Sequence, residues 1–428
     1  MYLRQLLICL LITTTVAQVS AQSGSTPYSS QGLGYLQGSQ LVHNSGMGGI
    51  GLASGTSFHI NNMNPAQLYR NSLTSFDFAF NFEYKDMMRN GETASIMDGG
   101  LAYGVFAFPV INNRWTSSVG ISPFSMVDYE RESIQEVNGS EENALLTRTG
   151  SGGLSQVYFS NGFRVAKGLG LGLKLGYLFG AINSENQLIP LGIQDVSLVT
   201  SYNNNIYYRG LLIEPGLHYS LKTADNTSLN VGVVFQPEMQ INATRLVTYE
   251  SRNPAQVDAV SRDTIVNNME GSATLPQKLG VGLAFEKLYK YKVGVDFTNQ
   301  QWSEFGSYQA ESDNGLASNE GMQNAYLLAV GGEIIPDINS VDSYLKRVAY
   351  RVGFQYSMLP FQVNDTKISE LAVTLGFSLP MSNVSSLNLS LQAGSRGTTS
   401  NELIRENFFR AQLGISFNDR WFMRRRFD

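Results

Sequence analysis

The sequence predicts an all-β fold, a transmembrane antiparallel β-barrel of about 14 strands. Three observations lead there. Segments after Thr74 alternate apolar and polar residues with period two, their connections alternate between long polar loops and very short turns, and the composition departs from that of soluble domains. Alternate side chains of a strand point to opposite faces, so a period-two segment has one apolar and one polar side. A closed membrane barrel needs that pattern, with lipid outside and a polar lumen inside.

Charged residues make up 15% of the 428, against about 25% in ordinary soluble domains. There are 21 Tyr, 23 Phe and 42 Gly. A mean hydropathy of −0.12 is no objection, because barrel strands carry polar lumen-facing residues and escape hydropathy scans. Past the N-terminus no run of about 18 apolar residues occurs, which excludes helical spans. The net charge is −5, and removing Arg4 with a leader makes it −6. No basic stripe interleaved with aromatics is present, so no nucleic-acid partner is expected.

Residues 1–21 read as a signal peptide. Arg4 precedes an apolar run over 6–16, and Val19-Ser20-Ala21 fits a small-x-small cleavage site with Gln22 as the first mature residue. Cys9, the only cysteine, lies inside that leader, so the exported chain has no thiol, disulfide or cysteine metal ligand.

The strands follow in order. In 74–87, Phe76, Phe78, Phe80, Phe82 and Tyr84 share one face, opposite Asp77, Ala79, Asn81, Glu83 and Lys85. Further segments are read over 99–110, 114–127, 153–166, 169–182, 206–221, 227–243, 274–286, 289–300, 323–335, 347–360, 367–380, 385–395 and 406–418. Connections at 112–113, 167–168, 222–227, 287–288 and 381–384 are short. Those at 130–152, 182–205, 244–271 and 301–322 are long and rich in Asn, Ser and Glu. Residues 336–346 form a longer turn on the short side. An even strand number puts both ends of the barrel on one side, the periplasm, with the long loops outside. The expected organisation is barrel over 73–418, a preceding segment over 22–72 rich in Gly, Ser and Asn, and a basic periplasmic tail over 419–428.

Two motifs in that preceding segment are distinctive. Ser45-Gly46-Met47-Gly48-Gly49-Ile50-Gly51-Leu52-Ala53 is followed by Asn61-Asn62-Met63-Asn64-Pro65-Ala66-Gln67-Leu68. The pair resembles the opening of the long-chain fatty-acid transporter (FadL/TodX-type) outer-membrane family. The resemblance implies a small hatch that plugs the barrel lumen, with Gly46, Gly48, Gly49, Asn64, Pro65 and Ala66 as its signature. Shorter similarities lie at Gly120-Ile121-Ser122-Pro123-Phe124-Ser125, at Leu175-Gly176-Tyr177-Leu178-Phe179-Gly180, and at Leu275-Pro276 opening a strand. Residues 394–410, with Gly397-Thr398-Thr399 and Glu406-Asn407-Phe408-Phe409, resemble a subgroup of the family. Read without the family, Gly46, Gly48 and Gly49 fit neither a dinucleotide fingerprint nor a Walker loop, and no parallel βαβ unit surrounds them. A tight turn in a narrow lumen suits them better. Asn64-Pro65-Ala66 can also be an ordinary turn, and Asn253-Pro254-Ala255 repeats the tripeptide in a loop.

Gly120 and Pro123 fall in the third strand. Glycine weakens a strand and proline lacks a ladder donor, so the pair marks a bulge or break. Similarity to the family implies an inward kink there and a side opening to the membrane. The alternative is that Pro123 merely ends the strand at the outer rim.

Enzymatic chemistry has little to work with. The histidines are His43, His59 and His218. His218, Ser220 and Asn230 suggest a nucleophile, a base and an orienting amide. Period two turns the first two to the lumen, and no nucleophile elbow or metal-binding His cluster accompanies them. A lumen histidine, no catalysis, no cofactor and no metal are the expectations.

The resemblance implies an outer-membrane channel for hydrophobic small molecules such as long-chain fatty acids, acting as a monomer among outer-membrane lipids. A non-transporting barrel partner or shuttle subunit of a secretion or surface-assembly complex is the alternative, since relatives of such barrels serve so. A hydrophilic porin is disfavoured, because a segment of about fifty residues would fill the limited interior of a 14-stranded barrel.

Overall fold

The computed structural model describes residues 26–136, 143–191, 199–253, 259–310, 321–382 and 384–420. The leader over 1–21 and most of the basic tail lie outside them. The chain forms a closed antiparallel barrel of 14 strands: β1 (Thr74–Arg89), β2 (Glu92–Ile111), β3 (Trp115–Glu136), β4 (Asn143–Ala166), β5 (Leu169–Pro190), β6 (Val199–Ala224), β7 (Thr227–Gln236 and Met239–Arg252), β8 (Ala259–Leu275 and Lys278–Lys287), β9 (Tyr291–Gln300 and Gly306–Ala310), β10 (Ala325–Ile334), β11 (Ala349–Val363), β12 (Thr366–Pro380), β13 (Ser386–Gly397) and β14 (Arg405–Asp419). Closure is made by β14 on β1, in register from Arg405↔Met88 to Asp419↔Thr74. A closed ladder gives backbone groups partners strand to strand, as lipid demands, and among the described strands it is interrupted between β2 and β3 above Gly104↔Ile121.

Facing is as the alternation predicts. Phe76, Phe80, Phe82 and Tyr84 are exposed on the outside of β1, while Asp77, Ala79, Glu83 and Lys85 are buried in the lumen. Here we call the rim that bears Thr74 and Asp419 the lower rim.

Each strand lies where the sequence places it, but several run far past their expected upper ends. The stretches read as loops over 130–152, 182–205 and 244–271 are largely ladder, with Glu136↔Asn143, Leu188↔Thr200 and Arg252↔Ala259 among the outermost pairs. Their polar sequence misleads because both faces of such extensions stand in water, so the apolar period disappears while backbone pairing continues. The strict alternation of long and short connections also fails. On the upper rim, turns at Asn90–Gly91 and Asn364–Asp365 are as tight as the lower ones, each with positive φ. Pro276 does not open a strand. It interrupts β8 between Leu275 and Lys278, level with the break of β7 at Pro237 and the loss of ladder in β9 after Gln300. Three adjacent strands thus crease at one height, and in two of them, β7 and β8, Pro237 and Pro276 offer the ladder no donor.

Residues 26–71 occupy the lumen. They carry short helical turns at Pro27–Ser30, Val42–Ser45 and Pro65–Arg70, and a two-residue strand, Tyr35–Leu36. The segment threads from the upper mouth downward. At the top, Thr26 N donates to Asp128 O at 2.9 Å and the Gln31 side chain donates to Gln362 O at 2.9 Å. At the bottom, Thr116 Oγ1 donates to Asn71 O at 2.9 Å and Arg70 pairs with Glu286.

Candidate functional site

The hatch is held by close backbone approach. Gly48 has φ +70°, and a Cβ there would lie 2.8 Å from Phe354 O and 2.9 Å from Val330 O. Gly46 rests on Gly376 of β12, and Gly48 N donates to Thr374 Oγ1 at 2.7 Å. Gly49 also has positive φ. Asn64 caps the turn Pro65–Arg70: its Oδ1 accepts from Ala66 N at 3.0 Å, and its Nδ2 donates to Leu52 O at 2.8 Å and to Leu217 O at 3.0 Å. Pro65 and Ala66 lie against Gly172, where any side chain on the wall would strike them. All six motif residues are buried, and Gly46, Gly48, Asn64, Pro65 and Ala66 lie against the wall, while Gly49 packs on Gln40 and Asn44 within the hatch. Asn253 of the repeated tripeptide is at the upper end of β7, and Pro254 and Ala255 lie outside the described residues.

Apolar side chains fill the upper mouth. Tyr28 and Leu33 of the hatch pack with Leu154, Leu178, Tyr208, Leu212, Ile241, Leu275, Trp302, Phe305 and Phe361 from the surrounding strands. Below that layer lies a cavity of about 320 Å³, within the size range that holds a small organic ligand. Its wall combines Leu36, Leu41, Leu101, Met126, Met358 and Phe361 with amides and ion-paired side chains.

The cavity meets a discontinuity in the barrel. β2 and β3 pair from Ile111↔Trp115 up to Gly104↔Ile121 and no further. Above that point β2 pairs with β1 and no longer with β3, and the only barrel strand on β3 is β4. The paired stretch of β2, Gly104 to Ile111 with seven residues in register, rises roughly 20 Å at a 35–45° tilt, less than the height of an apolar band about 25 Å tall. Gly99, Gly100, Leu101 and Ala102 on one edge, and Ser122, Pro123 and Met126 on the other, line both the gap and the cavity. The hatch covers part of the freed β3 edge. Tyr35 pairs with Met126, Leu36 with Ser125, and Gln37 N donates to Phe124 O at 2.9 Å.

Of the two kink residues, Gly120 stays in the ladder, opposite Val105 and Tyr158. Its lack of a side chain makes room for the Tyr158 hydroxyl. The irregularity sits at Pro123, where the register with β4 slips between Pro123↔Ser155 and Ser125↔Leu154.

Across the lumen an arginine-centred network ties the hatch to β12–β14. Arg396 donates to Glu370 at 2.7 Å and to Glu406 at 2.8 Å, and its guanidinium lies 4.2 Å from the centre of the Tyr35 ring. Tyr35 donates to Glu370 at 3.1 Å, and Thr26 donates to Glu406 at 2.6 Å. Burial pushes the Tyr35 phenol up to about 12, opposed by Arg396 and helped by Glu370. Sequence reasoning did not single out Arg396 or Glu370. Residues 394–410, marked by resemblance alone, contain Arg396, Glu406 and Phe408, so the signal was present without its chemistry.

His218, Ser220 and Asn230 lie together on adjacent strands, with the Asn230 side chain against the His218 ring. His218 is fully buried, with its Nδ1 3.3 Å from the Tyr69 hydroxyl, and Ser220 pairs with Asn230 as an ordinary ladder neighbour. The sequence did not bring the other two histidines together. His43 and His59, 16 residues apart in the hatch, stack with ring centres 4.6 Å apart beside Asp77 of β1. Only hatch insertion brings them together.

A family model described as BamG matches residues 2–428. The chain belongs to the BamG family. The long-chain fatty-acid transporter resemblance therefore holds at the level of the fold, while the family shown is BamG and not specifically that of long-chain fatty-acid transporters. Solved structures agree on that fold. A Pseudomonas aeruginosa FadL homologue matches with 12% identity over 89% of this chain and 98% of its own, TM-score 0.57. The Pseudomonas putida toluene transporter TodX matches with 16% identity over 91% and 99%, TM-score 0.54. The CymD monoaromatic hydrocarbon channel matches with 14% identity over 89% and 97%, TM-score 0.54. No curated protein sequence matches this BamG-family chain.

Proposed function

We propose that the chain is an outer-membrane channel for passive uptake of hydrophobic small molecules, long-chain fatty acids or similar, with lateral exit to the membrane. The lower rim is then periplasmic, and the leader directs export. The observation that carries the reading is the parted β2–β3 seam, because residues of both its edges line the cavity. The apolar packing of the upper mouth supports it: such a layer yields to an apolar solute and is costly for a polar one. FadL-type channels of the same fold, named for toluene and monoaromatic hydrocarbons, add support by analogy.

A bridge across the seam tests it. The exported chain has no cysteine, so Ala102→Cys with Ser122→Cys can be crosslinked selectively. Crosslinking should reduce fatty-acid or toluene uptake at least tenfold, and reversal of the crosslink should restore it. Uptake unchanged by the bridge would refute lateral exit.

One feature favours the partner reading instead. β3–β8 rise well above the other strands, and Ile134, Val260 and Ile265 are exposed near the top of that wall. Mass spectrometry of lipids extracted with the purified protein separates the two, since a partner subunit would carry no enriched apolar cargo.

A further inference from the structure

We propose that His43, His59 and Asp77 form a metal site for a divalent transition ion, Zn²⁺ by ligand chemistry, which fastens the hatch to the barrel wall. One ligand atom from each residue lies within 4.8 Å of the other two. Two belong to the hatch and one to β1, so an ion held among them would crosslink plug and barrel.

The polar accounting around these residues points to a missing partner. Nδ1 of His43 and Nδ1 of His59 are both buried without a hydrogen bond. Each such orphan bears the desolvation cost of a buried polar atom with nothing to replace its lost water. Asp77, in contrast, is already positioned: Tyr103 donates to its Oδ1 at 2.8 Å and Ser416 donates to its Oδ2. Tyr103 in turn accepts from Val42 N at 3.1 Å, beside His43 in the same short helix. Outer groups that orient a carboxylate in this way are typical of metal sites.

Two imidazoles and a carboxylate suit zinc, which takes nitrogen and oxygen at about 2.0–2.2 Å in tetrahedral geometry. Such a site places its ligand atoms roughly 3.4 Å apart. The imidazole planes now lie 17° from parallel, so one ring must turn about its Cβ–Cγ bond for both lone pairs to meet. His59 can do so without breaking a ladder, because residues 51–64 have no regular structure. Of the charged groups facing His59, Arg351 and Lys292 both pair with Glu333, leaving Asp77 to meet the cation. The proposal does not depend on transport.

The test uses the full exported chain, stripped with EDTA and refolded into detergent with Zn²⁺ or Co²⁺. Mass spectrometry should find one zinc per chain, Co²⁺ should give the visible bands of a tetrahedral nitrogen–oxygen site, and Zn²⁺ should raise the Tm. His43→Ala with His59→Ala should weaken binding at least about tenfold. Refolded wild-type protein that takes up no metal, or metal uptake undiminished in a folded double variant, would overturn the proposal. Should the double variant fail to fold, the stoichiometry and Co²⁺ spectrum of the wild type decide the matter alone.

Discussion

Replacing Arg396 with Ala should release the upper hatch. Arg396 is 1% exposed and neutralises Glu370 and Glu406, whose side chains are 2% and 0% exposed. Removing one partner of a buried ion pair costs about 3–5 kcal/mol, because the charge left behind is uncompensated. The stacked contact with Tyr35 adds up to about 2 kcal/mol where both groups are desolvated. Glu370 lines the cavity, so water can reach it in the variant, and the low end of the range, about 3 kcal/mol, is expected. At 1.4 kcal/mol per factor of ten, that is roughly a hundredfold increase in local opening. The amides of Tyr35 and Leu36 report it, since both residues pair with β3. Their hydrogen exchange should speed up about a hundredfold while the β13–β14 ladder below remains protected. A companion variant, Arg396→Met with Glu370→Leu and Glu406→Leu, should recover much of the protection, because an apolar trio leaves no stranded charge. If Arg396→Ala changes exchange at Tyr35 and Leu36 by less than threefold, the network does not hold the hatch.

Two further outcomes are expected. Gly48→Val should unseat the lower hatch, since the left-handed backbone costs about 1–2 kcal/mol and a side chain would press on Phe354 and Val330 at under 3 Å; planar-bilayer conductance should rise, and conductance equal to the parent's would count against a plug. Alkali should loosen the upper hatch: burial raises Tyr28 and Tyr35 from 10.0 to about 12, so their stabilisation is complete below pH 10 and lost as pH rises through 12. An ultraviolet titration should show a late tyrosinate component near pH 12, and a single transition near 10 would contradict it.

The sequence by itself determined the strands and their facing. Phe76 through Tyr84 had to face lipid and Asp77 through Lys85 the lumen, because period two is a local property of extended backbone. It also marked the hatch, through the family resemblance that the Gly46-Met47-Gly48-Gly49 and Asn64-Pro65-Ala66 motifs carry. Strand lengths were legible only where lipid bathed one face. In 130–136 and 183–190 both faces are wet, so nothing local distinguishes ladder from loop. The tertiary structure alone decided where the seam parts, because Gly104 and Ile121 end their ladder in a sequence that continues as strand on both sides. It decided likewise that Gly120 serves Tyr158 and that Pro123 carries the slip. Arg396 meets Tyr35, and His43 meets Asp77, across separations that no local pattern encodes. Such meetings follow from threading 46 lumen residues, 26–71, through a closed ring of strands, and only the closed ring specifies them.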